Sequence, residues 1–189
     1  MKVSSQIIKS LQPCSGRFDN YLKHYSDFDG QIEDFISLDK ITYSDKVWVS
    51  IRLMTRDQCS RWAALCALSV VHIFEFKFPG DLRPRKAIEA VLEGKSPEEI
   101  RTAAYDAYDA VCVACTACTA AYDAYDAYAA ARAADAAANV AYTTYAIDAA
   151  YNASYAAAHA ASRAAAYAAR KKQENKNLQL IIDVVRGVK

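Results

Sequence analysis

Three groups of residues have the types and spacing to do chemistry. Cys112, Cys115 and Cys118 form a C-x2-C-x2-C run, the spacing that delivers thiolates to iron–sulfur clusters. No fourth cysteine followed by proline stands nearby, and the run lies inside alanine-rich text that reads as helix. Ligands three apart on a helix drift around its axis, so small side chains filling a helical seam are the simpler reading. His72 and Glu75 are also three apart. Di-iron bundles use the order Glu-x-x-His, twice over; here the order is reversed and has no second copy. Neither metal nor cofactor is expected. Without a Gly-rich phosphate loop, a nucleophile elbow or a Ser/His/Asp order, no catalytic residue is assigned and no enzyme is expected.

The third group is Asp81-Leu82-Arg83-Pro84-Arg85-Lys86. Its proline and acidic lead-in place a helix start here, with Asp81 as N-cap. Three cations in a first turn oppose the helix dipole unless something negative answers them. Glu75, Asp81 or Glu89 could do so from within, clamping two helices together. A phosphate-bearing ligand could do so from outside, and both readings stay open.

The heptapeptide Ala-Tyr-Asp-Ala-Tyr-Asp-Ala occurs at 104–110 and again at 121–127. It carries Tyr105, Tyr108, Tyr122 and Tyr125, whose rigid amphipathic rings suit a protein interface. The aspartates between them, with Asp135 and Asp148, could meet a cation or a basic partner; keeping an alanine-rich helix hydrated is the plainer role.

These groups must be positioned by helices. The chain has 189 residues and a net charge of +1. No alanine occurs in residues 1–50, yet 33 occur in residues 101–170. From Glu98 to Arg186 there is neither glycine nor proline, so this span should be helical nearly throughout. As one rod it would run about 130 Å, far beyond a compact chain with a radius of gyration of about 16 Å. It must fold back, as about three helices. Poor helix formers at Ala138-Asn139, Tyr142-Thr143-Thr144, Tyr151-Asn152 and Gln173–Asn177 mark the expected breaks.

Ser96-Pro97-Glu98-Glu99 and Thr55-Arg56-Asp57-Gln58 are capping boxes that open helices. The second should continue to Phe78-Pro79-Gly80, with Trp62, Leu65, Cys66, Ser69, Ile73 and Phe76 on one face. Residues 1–54 read as short helices without a strand pair. The expected fold class is all-α: one domain over 1–189, with variable N-terminal helices (1–40), a Trp/DLRPR helical core (41–95) and alanine-rich helices (96–189). A seam of small side chains makes a thin core that dimerisation into a homo-oligomer would complete.

Charge stays balanced in every segment, which argues against a nucleic acid duplex as partner. The start lacks the apolar stretch of a secretory signal. The run from Trp62 to Phe76 is too short and too interrupted to span a bilayer, so no membrane partner and a cytoplasmic location are expected. The six cysteines then read as reduced thiols.

Asp45-Lys46-Val47-Trp48-Val49, Arg61-Trp62-Ala63-Ala64-Leu65-Cys66-Ala67, and Phe74 through Ala90 with Gly94, followed by the alanine-rich tail, resemble the helical immunity-protein family with an immunity-five-like domain, found in bacteria and phages. The resemblance covers roughly residues 40–170, and its Asp-x-Arg-Pro-Arg-x-Ala-Ile-Glu core carries most of it. It implies a small binding protein of bacterial or phage conflict that occludes a toxin or defence protein. An alternative it suggests is a phage-encoded sponge for a nucleotide signalling molecule. Such a ligand would sit on Arg83 and Arg85, with Asp81, Trp62, Glu75 and His72 around it.

Overall fold

The span without glycine and proline holds the longest helices. The computed structural model describes residues 1–120, 125–142, 146–164 and 166–188. In the alanine-rich half these form α8 (Pro97–Ala120), α9 (Tyr125–Tyr142), α10 (Ala146–Ala164) and α11 (Ala166–Arg186). Each packs on the next, so the chain folds back as four helices instead of three. Of the expected breaks, the one at Tyr142–Thr144 begins where α9 is last described, and Thr143 and Thr144 lie outside the described residues. The others lie inside helices: Gln173 and Asn177 bond to distant side chains, and Asn139 bonds within its own helix. Asn139 donates to the Asp135 carbonyl and carboxylate at 2.9 and 3.0 Å, and such bonds outweigh a propensity penalty of about 0.7 kcal/mol.

Seven shorter helices precede them. They are α1 (Ser5–Ser10), α2 (Ser15–Tyr25), α3 (Ile32–Ser37), α4 (Tyr43–Leu53), α5 (Arg56–Leu68), α6 (Val71–Lys77) and α7 (Arg83–Leu92). Both capping boxes form. Thr55 Oγ1 accepts from the Gln58 amide while the Gln58 side chain accepts from the Thr55 amide. Ser96 and Glu99 do the same at the start of α8. Gly94, at φ 66°, closes α7 in a conformation costly to any residue with a Cβ.

Two expectations need correction. First, a strand pair does exist: β1 (Lys2–Ser4) runs antiparallel to β2 (Asp29–Gln31), with Val3 opposite Gly30. Three residues per strand and one buried side chain, Val3, leave no alternation to read. The fold remains helical apart from this ribbon. Second, the Trp62 helix does not run on to Phe76. It ends at Leu68, turns at Ser69-Val70, and resumes as α6. The turn rotates α6, so Phe74 is fully buried while Phe76 is 87% exposed. The stretch Arg56–Lys77 has the length and apolarity of a membrane span. Here it serves as core: Trp62, Ala63, Ala64, Cys66, Ala67, Val70 and Val71 are all buried within the bundle.

α9 lies at the centre, against α5, α6, α7, α8 and α10. Ala130, Ala133, Ala134 and Ala137 are wholly buried on it, facing buried alanines of α5 and α10. Small side chains bring the helix axes close, and larger residues such as Trp62, Phe35, Phe74 and Ile181 fill the space beyond the seam.

Several buried polar groups converge on Asn177 of α11. Its carbonyl accepts from Trp62 Nε1 at 2.9 Å, and its amide donates to the Tyr43 hydroxyl at 3.1 Å and the Ser154 carbonyl at 3.4 Å. Gln173 donates to Asn177 Oδ1 at 2.8 Å and to Ser69 Oγ at 2.7 Å. Burial pushes the Tyr43 phenol well above its ordinary range. Asn177→Leu removes one hydrogen-bond partner each from Gln173 and Tyr43 and should cost about 2–4 kcal/mol in urea unfolding.

Candidate functional site

Two of the three cations at the α7 start, Arg83 and Arg85, are answered from within. Asp81 accepts from Arg83 Nε at 2.9 Å, from Nη2 at 2.7 Å and from the Arg83 amide at 3.2 Å. Leu82, not Asp81, is the half-helical residue at the N-terminus. The Asp81 carboxylate still takes up a first-turn amide, as an N-cap does. Glu75 on α6 accepts from Arg85 Nε at 2.5 Å and Nη2 at 2.8 Å. This two-point bond ties α6 to α7 across the turn between them, and is the clamp of the two open readings.

His72, one turn before Glu75, is exposed and adds a weaker pull on the same carboxyl. Asp106 and Asp109 of α8 do likewise for Arg83. Trp62 does not belong to this corner. It is wholly buried, with its indole N–H spent on Asn177, so no ligand can stack on it there. The other five residues, Asp81, Arg83, Arg85, Glu75 and His72, do gather at the α6–α7 corner.

The Arg85 hydrogen bonds hold the Glu75 carboxyl below its ordinary value, and the Arg83 bonds do the same for Asp81. Both groups therefore titrate lower in the folded chain than in the unfolded one. Their contribution is complete above the ordinary carboxyl range and is lost as pH falls below about 5. Glu75→Gln should lower stability by about 1 kcal/mol at neutral pH, a value already discounted for the partial exposure of the pair. The deficit should shrink towards about pH 3, read from urea midpoints of both proteins.

On α8 the buried register is Ile100, Ala104, Ala107, Val111 and Ala114, which turns the tyrosines outward. Tyr105 is 65% exposed and Tyr108 55%. Tyr122 and the side chain of Tyr125 lie outside the described residues. Cys112 and Cys115 are exposed and not disulfide-bonded, so they do not fill the alanine seam as expected. They fall on the flank of α8 that carries Tyr105 and Tyr108. The Cys118 side chain lies outside the described set. Among the described residues no three metal-ligating side chains converge. Burial raises the Asp135 carboxyl, with Asn139 opposing the shift, while Asp106 and Asp109 are exposed.

A cleft of about 420 Å3 opens where the α1–α2 turn, α2 and α4 meet α10. Phe18, Tyr21 and Trp48 form its walls, and Arg17, Arg52 and Tyr151 add polar tips. Arg17 is held by Asp45 at 2.5 Å, and the Arg52 guanidinium lies 4.1 Å from the Trp48 ring centroid. Ser44 and Tyr151, joined at 2.7 Å, line both this cleft and a second hollow of about 550 Å3. Sequence reasoning missed the cleft because its residues come from four segments with no shared motif.

Gln12 lines this cleft at φ 57°, a left-handed conformation costly to a residue with a Cβ. Gln12→Gly should therefore raise stability by about 0.5–1 kcal/mol in urea or thermal unfolding.

Compared with family models, curated proteins and solved structures, the chain finds no match. The resemblance of residues 40–170 to the immunity-protein family accordingly rests on the quoted motifs alone.

Proposed function

We propose that this chain is a non-enzymatic binding protein of bacterial or phage conflict that neutralises a protein target by occlusion. The observation that carries the reading is the outward pair Tyr105 and Tyr108 on α8, more than half exposed on a helix whose opposite face is anchored by alanine. Exposed tyrosines on a rigid helix bring large contact area at small entropic cost. Asp106 and Asp109 beside them set a negative rim suited to a basic target surface.

The nucleotide-sponge alternative has less support at the α6–α7 corner. Arg83 and Arg85 already hold carboxylates in two-point bonds, and a phosphate there would have to displace them.

The test is photo-crosslinking in the host cell from benzoylphenylalanine placed at position 105 or 108. The expected result is one captured protein whose own activity the purified chain inhibits stoichiometrically. Combining Tyr105→Ala with Tyr108→Ala should leave the melting temperature nearly unchanged, since exposed sites usually shift stability by less than about 0.5 kcal/mol. It should weaken inhibition by about tenfold or more. A captured protein that stays fully active, or inhibition indifferent to both substitutions, rules the reading out. A nucleotide-sized adduct in native mass spectrometry would favour the sponge instead.

A further inference from the structure

We propose that the cleft between α2, α4 and α10 binds a small monoanion carrying a flat ring, of the aromatic carboxylate class. The site is independent of the α8 face. The chemistry follows from what lines the cleft and from which of its charges are already answered.

Two cations reach the cleft. Arg17 is neutralised by Asp45 at 2.5 Å, and Asp45 is further held by the Thr42 hydroxyl at 2.6 Å. Arg52 makes no ion pair among the described residues; its one recorded partner is the Trp48 ring, 4.1 Å from the guanidinium carbon. The cleft therefore carries one uncompensated positive charge, which sets the ligand's charge at minus one. Stacking on Trp48 restrains the guanidinium before any ligand arrives, reducing the ordering cost of binding. A planar guanidinium offers paired N–H donors that match a carboxylate fork.

Phe18, Tyr21, Trp48 and Ile41 supply the apolar walls, and aromatic faces favour a flat ring over an aliphatic chain. The volume of about 420 Å3 lies near the lower end of small-molecule sites, which suits one or two fused rings. The left-handed Gln12 at the mouth is the one non-glycine residue with positive φ among those described, and such strain gathers at binding sites.

The test is isothermal titration calorimetry of the full chain with 2-naphthoate. Acetate serves as the anion without a ring, and 2-naphthamide as the ring without a charge. The expected result is saturable one-to-one binding of 2-naphthoate, with both controls at least about tenfold weaker. Arg52→Gln should weaken naphthoate binding about tenfold or more while the melting temperature holds. Combined Tyr105→Ala and Tyr108→Ala should leave it unchanged, which separates this site from the α8 interface. No saturable naphthoate binding, naphthamide binding equally well, or a folded Arg52→Gln that binds as before would each overturn the proposal. The naphthoate–naphthamide comparison needs no substitution, so it decides the matter even if Arg52→Gln fails to fold.

Discussion

Asn177 satisfies polar groups from four helices at once. Through its carbonyl and amide, and through Gln173 beside it, α11 is fastened to α4 at Tyr43, to α5 at Trp62 and Ser69, and to α10 at Ser154. Each buried donor in this set has an acceptor, and each would be expensive to strand in an apolar interior. The network also fixes the turn that separates α5 from α6. Ser69 Oγ accepts from Gln173 and donates to the Cys66 carbonyl at 2.7 Å. The pose of α6, and with it the position of Glu75, depends on a residue more than a hundred positions away in sequence.

Such a network matters because the rest of the core is thin. Alanine packs helices closely but removes little apolar area from water per residue. With α9 walled by alanine, stability has to come from the larger side chains around the seam, from the caps, and from directional bonds. Nor does an alanine seam have strong knobs to fix register; hydrogen bonds at Asn177 and the Glu75–Arg85 pair between α6 and α7 supply part of that specificity.

The surface divides in a way that bears on function. At the α6–α7 corner, Arg83 and Arg85 are each matched to a carboxylate, leaving a rigid joint. On α8, tyrosines face outward with no buried role. In the α2–α4–α10 cleft, one arginine rests on a tryptophan with no carboxylate among the described residues to answer it. A matched joint holds elements in place, whereas an exposed ring or an unanswered charge still has interaction energy to give to something outside the chain.

The sequence by itself determined the helical class, the starts of α5 and α8, and the helicity of the described residues between 98 and 186 in outline. These depend on local physics: alanine propensity, capping side chains, and a 3.6-residue period that puts one face in and the other out. It also narrowed the Arg83–Arg85 group to two options, because partners within about ten residues were in view. Tertiary structure alone decided the rest. Gln173 and Asn177 read as helix breakers but lie within a helix, since distant partners outweigh propensity. Trp62 looked like a ring for a ligand, yet an acceptor 115 positions away took its N–H. The β1–β2 ribbon and the Arg52 cleft left no local trace, because each is assembled from segments that meet only when the chain has folded.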